Sequence, residues 1–270
     1  MTYSQNSDNE NIQATRPYRR LGYQIANVQG VGCRARQEDS FTLANAFDVK
    51  AVAREGLLFV VCDGMGGMAD GKLASETAIA SIRESFASMD RQGDISYQIN
   101  QALYLACERV YGRLRGDGGS TAIFAIIYDE KLYFASVGDS YFYLKRGNSL
   151  IRLNREHNVC NQIYLDCIRS NSMDPTEGRN SVEAVALTQY IGMDELTDID
   201  YLVKPMPLKE GDVLLSCSDG VGGTLSEDEV FASLSIENPQ VMCEAIERGI
   251  VQHAKPNQDN YTGIIVKCVR

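Results

Sequence analysis

The chain has 270 residues, 44% of them hydrophobic, so it can bury a substantial core as one large domain or two small ones. Its net charge of −10 excludes a basic nucleic-acid footprint and disfavours anionic membrane surfaces. A surplus of carboxylates suits a protein that gathers divalent cations, although a solvated acidic surface accounts for most of the 36 acids. The eight cysteines form no C-x-x-C pair and mostly lie inside apolar runs. That predicts reduced, buried thiols in a cytoplasmic protein, and neither a disulfide frame nor a zinc site. His157 and His253 are too few for a His-rich metal centre. No signal peptide or membrane-length apolar run is present.

In chain order, residues 1–17 are a polar tail expected to be disordered, and 18–270 are expected to form one domain. Tyr18 to Val28 and Asp39 to Phe47 read as strands joined by the Gly30-Val31-Gly32 turn, and Leu57 to Cys62 as a buried strand. Leu73 to Met89 reads as a helix with Ala78, Ile82, Phe86 and Met89 on one face. Asp94 can cap a second helix with the stripe Ile95, Ile99, Leu103, Ala106, Val110, Leu114, and both stripes read as core-facing. From Ser120 a meander of hairpins follows: Thr121–Tyr128, Leu132–Val137, Tyr141–Lys145 and Leu150–Leu153. Periodicity is lost from 154 to about 185, where Asn171 to Asn180 is loop-like. Asp212–Cys217 is a strand, Ser226 and Glu229 form a capping box, and Met242 to about His253 is a helix. Tyr261–Val269 is a closing strand. Helices fall in two groups between runs of strands, without βαβ alternation. The expected class is α+β: two packed, mainly antiparallel sheets flanked by helices on both outer faces, an α-β-β-α sandwich.

Carboxylates stand at strand ends in Gln37-Glu38-Asp39, Cys62-Asp63-Gly64, Ser218-Asp219-Gly220 and Gln258-Asp259-Asn260. Around Asp63 the chain falls at once into Gly64, Gly66 and Gly67, which let the backbone turn and approach a ligand closely. Taken alone, Asp63 reads equally as a ligand group or as the cap of the next helix. If these acids converge they repel one another unless cations sit among them, and oxygen donors alone point to Mg²⁺ or Mn²⁺.

The chain resembles the metal-dependent serine/threonine protein phosphatases of type 2C, in their bacterial form. The resemblance is carried, in order, by Arg34-Ala35-Arg36-Gln37-Glu38-Asp39-Ser40, Val61-Cys62-Asp63-Gly64-Met65-Gly66-Gly67, Gly119-Ser120-Thr121-Ala122, Val137-Gly138-Asp139-Ser140, Leu187-Thr188 with Ile191-Gly192, Cys217-Ser218-Asp219-Gly220 and Asp259-Asn260-Tyr261-Thr262. It implies hydrolysis of phosphoserine and phosphothreonine in proteins by direct attack of a water activated at a two-metal centre of Mn²⁺ or Mg²⁺. Asp63 would bridge the two ions, with the Gly64 carbonyl on the first and Asp219 and Asp259 on the second. Glu38 and Asp39 would hold metal-bound water or complete the shell. Arg34 would bind phosphate through its guanidinium fork, ahead of Arg36. Asp139 matches the position of a third metal. The variable flap beside the site corresponds to about 158–185. The implied partners are phosphorylated proteins and a cognate serine/threonine kinase, with no nucleic acid and no membrane; a monomer is the plain expectation.

The pattern departs from the family at several points. Met65 stands where many eukaryotic relatives carry a His, which leaves the general acid unassigned. Tyr141 and Gln189 replace usual arginines. His157, in Glu156-His157-Asn158, reads equally as a residue behind the site and as a simple loop histidine, and His253 reads as structural. Cys33 and Cys62 read as packing. Two alternatives stand beside the phosphatase reading: a silent binding module on the same fold, and a metal-dependent hydrolase of small phosphate esters. The presence of Asp63, Asp219 and Asp259 weighs against the first.

Overall fold

Every residue of Leu57–Cys62, strand β3 in chain order, is buried, because the strand faces apolar side chains on both sides. Its alternation places Leu58, Val60 and Cys62 in one core and Leu57, Phe59 and Val61 in another. The structure, a computed structural model, describes residues 20–65, 70–170 and 183–270. The polar tail 1–17, Gly66 and Gly67, and the stretch Asn171 to Asn180 lie outside the described residues.

Sheet A runs β1-β11-β10-β6-β7. Its members are β1 (Gly22–Gly30), β6 (Tyr141–Arg146), β7 (Ser149–Arg152), β10 (Val213–Cys217) and β11 (Tyr261–Val269). Sheet B runs β2-β3-β4-β5-β8, with β9 also paired to β5. It is built from β2 (Ser40–Ala44), β3, β4 (Ala122–Tyr128), β5 (Lys131–Val137), β8 (Asp200–Tyr201) and β9 (Met206–Pro207). Every pairing is antiparallel. Between the sheets lie Leu57, Phe59, Ile123, Phe134, Phe142, Leu214 and Ile264. There Phe142 meets Phe59 and Phe134 edge-on, with centroids 6.0 and 5.1 Å apart.

Helices α2 (Gly71–Ser88) and α3 (Ile95–Leu114) cover sheet B. Both predicted stripes face that core: Ala78, Ile82 and Phe86, then Ile95, Ile99, Leu103, Ala106 and Val110, are buried. Asp94 caps α3 by accepting from Tyr97 N. Sheet A is covered by α6 (Glu227–Leu234) and α7 (Pro239–His253), through Val230, Leu234, Met242, Ile246 and Ile250. The capping box of Ser226 and Glu229 is formed, and His253 on the last turn of α7 bonds Glu229. The order helices, sheet, sheet, helices is the expected sandwich.

The structure adds elements the pattern does not announce. Val49–Glu55 is a short helix, α1, capped by Asp48. Val159–Arg169 is a helix, α4, inside the stretch expected to lack periodicity, and none of its residues is buried. A further helical turn, α5 (Asp219–Gly222), follows β10 directly. Cys62 packs in the core as read, but Cys33 is exposed, which corrects its reading as packing. Among the described residues no disulfide joins the cysteines.

Candidate active site

Where β3 ends, Asp63 leaves the sheet under tight backbone control. Its N–H donates to Thr121 Oγ1 at 3.0 Å, and its carbonyl accepts from Thr121 N at 2.8 Å and Ser120 Oγ at 2.9 Å. At Gly64 a Cβ would stand 2.3 Å from Gly71 O and 2.6 Å from Glu38 O, so only glycine lets the chain pass between them. The cap of α2 is Asp70, which accepts from Leu73 N. Asp63 is therefore not that helix's cap.

The second acid pair comes from sheet A. Ser218 closes β10, donates its Oγ to Asp39 Oδ2 at 2.9 Å and accepts from Thr262 N at 3.0 Å, which joins both sheets beneath the site. Asp219 opens α5. Just before β11, Asp259 accepts from its neighbour Asn260 N through Oδ1 and from Arg34 through Oδ2 at 2.5 Å. Close backbone packing fixes this segment: a Cβ on Gly220 would lie 1.8 Å from Asn260 O, and one on Gly32 2.3 Å from Asp259 O.

Asn260 is the organising residue that sequence reasoning missed. Its Oδ1 accepts from Glu38 N at 2.7 Å, and its Nδ2 donates to Val31 O and Arg36 O. It thereby shapes the loop carrying Arg34 and Glu38. The available signal was an amide side chain beside a strand-end acid, a residue type suited to satisfying irregular backbone.

These residues meet in a cleft of about 210 Å³ lined by Arg34, Glu38, Asp63, Gly64, Met65, Thr121, Asp139, Leu187, Asp219 and Asp259. Asp39 is wholly buried behind it. Arg36 stays outside, its guanidinium 4.0 Å from Glu38 and largely exposed. Tyr141 lies beneath the Arg152 guanidinium, 3.8 Å from ring centroid, while Gln189 Oε1 accepts from Thr197 N and Asp198 N. His157 is buried against Gly138, and burial together with Arg155 holds its pKa below the usual value.

Four of the acids, Asp39, Asp63, Asp139 and Asp219, have raised pKa values. Burial comes first for each of the four, and for Asp63 the charges of Asp39 and Asp219 follow. Burial and then Asp219 push Asp139 up to about 7. Asp39 rises to about 6 through burial, partly offset by hydrogen bonds from Thr262 and Ser218. Asp219 is raised by burial and by Asp259. Among the described residues, Asp39 Oδ1 and Asp219 Oδ1 are buried with no hydrogen-bond partner. Crowded hard oxygen donors with unspent lone pairs fit divalent cations. Among the described residues no group of three His, Cys, Asp or Glu side chains closes into a metal cage by itself. Donors strung along a cleft suit ions that keep water in their shell, as Mg²⁺ and Mn²⁺ do.

The sequence model of protein phosphatase 2C matches residues 23–196, well over half of the chain. The chain belongs to the protein phosphatase 2C family. Within that family the serine/threonine phosphatase Stp of Listeria welshimeri is 27% identical over 183 residues, covering 64% of this chain and 69% of its own. PhpP, a protein phosphatase of Streptococcus pneumoniae, is 29% identical over 182 residues, covering 64% and 70%. The catalytic domain of the serine/threonine protein phosphatase PstP, solved in complex with 2 manganese ions, shares the fold with a TM-score of 0.72 at 20% identity, covering 93% of this chain and 100% of that one. This protein phosphatase 2C member is a serine/threonine phosphoprotein phosphatase.

Proposed function

We propose that this phosphatase removes phosphate from phosphoserine and phosphothreonine in proteins by direct attack of water at a two-cation centre. The observation that carries the reading is the meeting of Asp63, Asp219 and Asp259, from strands of both sheets, with Arg34 in one cleft. Asp63 and the Gly64 carbonyl would hold one Mn²⁺ or Mg²⁺, with Asp63 shared to a second ion held by Asp219 and Asp259. Asp139 would hold a third. The 2 manganese ions of the similarly folded PstP complex support a cation-dependent centre. Bound there, the cations would lower the pKa of water toward neutrality and offset phosphoryl charge.

The chain's own residues set the rest. Glu38 and the buried Asp39 would accept hydrogen bonds from water around the cations, and Ser218 keeps Asp39 aimed by donating to Oδ2. Arg34, half-exposed at the rim and paired with Asp259, would turn its fork onto two phosphate oxygens of the substrate once cations hold Asp259. The carboxylates repel an incoming phosphate unless their charge is neutralised, so the same acids reject substrate when no cation is present. Met65, on the cleft wall, has no proton to give, which leaves water as the source of the proton for the departing alkoxide. The reading includes one catalytic domain over 18–270 with its flap at about 158–185, working as a cytoplasmic monomer opposite a serine/threonine kinase. No described helix is long and apolar enough to cross a membrane.

The test is hydrolysis of p-nitrophenyl phosphate and a phosphothreonine peptide with Mn²⁺, Mg²⁺ or EDTA, beside Asp63→Asn and Asp219→Asn. Metal-dependent turnover of both substrates, lost in both variants, is expected. Turnover of the small ester alone would move the substrate class to small phosphate esters, and metal-independent turnover would refute the centre.

A further inference from the structure

We propose that His157 is a positioning residue for Asp139: by gripping Gly138 it fixes the corner that carries the Asp139 carboxylate into the cleft. The inference rests on reading Asp139 as one of the cation-binding acids.

The corner between β5 and β6 is Gly138-Asp139-Ser140, and it is pinned from two sides. On one side it packs on Thr121. Gly138 has a φ of +97°, and a Cβ there would lie 2.6 Å from Thr121 Cγ2. Ser140 Oγ is 2.6 Å from Thr121 Oγ1, the atom that receives the Asp63 N–H. A shift of the corner is therefore felt at Asp63 as well as at Asp139.

On the other side the corner meets His157 alone among the hydrogen bonds described for Gly138. The His157 backbone N–H donates to Gly138 O at 3.0 Å, and ring Nδ1 stands 3.3 Å from Gly138 N. Nδ1 lies equally 3.3 Å from Gly138 O, so the ring grips the glycine in either neutral tautomer: bare Nδ1 accepts from Gly138 N–H, and protonated Nδ1 donates to Gly138 O. The other ring nitrogen, Nε2, is buried without a hydrogen-bond partner, 3.9 Å from Asp198 Oδ2. A neutral imidazole satisfies this arrangement, in keeping with its lowered pKa.

His157 is itself held. Its carbonyl accepts from Thr188 N at 2.9 Å, next to Leu187 on the cleft wall. The following residue, Asn158, caps α4 and bridges to Leu187. One histidine thus ties the Asp139 corner, the Leu187 wall and the start of α4 together. A loop histidine of no consequence would not bury its ring and spend both Nδ1 and its backbone N–H on a single glycine.

The test compares His157→Phe, His157→Asn and His157→Gln with Asp139→Asn, using Mn²⁺ titration by calorimetry and thermal melting of each protein. Phe keeps a flat ring but cannot hydrogen-bond to Gly138. Asn places its amide, which can accept or donate, near the position of Nδ1, whereas Gln reaches toward that of Nε2. The Phe variant is expected to melt cooperatively and to bind its weakest Mn²⁺ about tenfold less tightly, as partners behind metal ligands commonly do. Asn should recover most of this loss and Gln should not. Combined with Asp139→Asn, His157→Phe should add no further loss. Should the Phe variant fail to fold, the Asn and Gln pair decides alone. Wild-type Mn²⁺ binding in a folded Phe variant, or equal losses in Asn and Gln, would overturn the proposal. Absence of Mn²⁺ binding to the unsubstituted protein would instead bring down the metal reading on which it rests.

Discussion

Asp139→Asn is expected to make the phosphatase more stable in EDTA at pH 8 and to leave it nearly unchanged at pH 4. The reason is the raised pKa of Asp139, which burial and the Asp219 charge lift from 3.8 to about 7. The folded protein binds that proton more tightly than the unfolded chain does. Stability is therefore lost as pH climbs from 3.8 to about 7, and the full cost is present above that range. Each pKa unit is worth ~1.4 kcal/mol, so a shift of roughly three units bounds the cost of the carboxylate at about 4 kcal/mol. Water in the cleft screens part of it and the buried amide carries a cost of its own, so the expected gain at pH 8 is about 2 kcal/mol. Urea unfolding in EDTA at the two pH values measures it, with an unchanged m-value required. A loss of stability at pH 8, or the same gain at both pH values, would refute the electrostatic account. Added Mn²⁺ should reverse the ranking, because a ligand that binds the folded state stabilises it by mass action.

Gly220→Ala should cost about 100-fold in activity while leaving the sheets folded. Its Cβ would stand 1.8 Å from Asn260 O, and displacing that backbone by about 1 Å moves Asp259 out of register with the other acids. Activity within a few-fold of wild type would show that the segment has slack. Far from the cleft, Arg146→Ala should destabilise by about 3 kcal/mol in urea unfolding. It strips the buried Asp212 of bonds at 2.8 and 2.6 Å and leaves a carboxylate whose other bond comes from Lys209 N. A change below about 1 kcal/mol would mean that solvent replaces the guanidinium without cost.

The parts of this fold that were legible are those where burial imprints a period. β3 and the stripes of α2 and α3 read correctly because each has a buried face that only apolar residues can fill. α4 was missed although its sequence is amphipathic; the structure buries none of its residues, and Asn158 caps it. α1 is short, with Ala51 alone buried. In the candidate site the acids were visible as strand ends and as a resemblance. The ion pair of Arg34 with Asp259 was not, since it joins residues 225 positions apart. Nor was the role of Asn260, whose three bonds go to backbone atoms that any residue could supply. The exposure of Cys33 was hidden for a similar reason: the turn it sits in is set by distant packing of Gly32 on Asp259.

The nine-residue pairing of β1 with β11 also dictates when the enzyme can come into being during synthesis. β1 emerges from the ribosome early and then waits, its partner strand still unmade, while some 230 intervening residues are translated, as the Gln29–Thr262 contact records. Sheet B, whose first four strands in chain order span 40–137, can assemble in the meantime. Arg34 and Asp259 meet only when β11 docks between β1 and β10. Such late, long-range closure is slow, and until then Glu38, Asp39, Asp63, Asp139 and Asp219 stand without the Asp259 segment that completes the cleft.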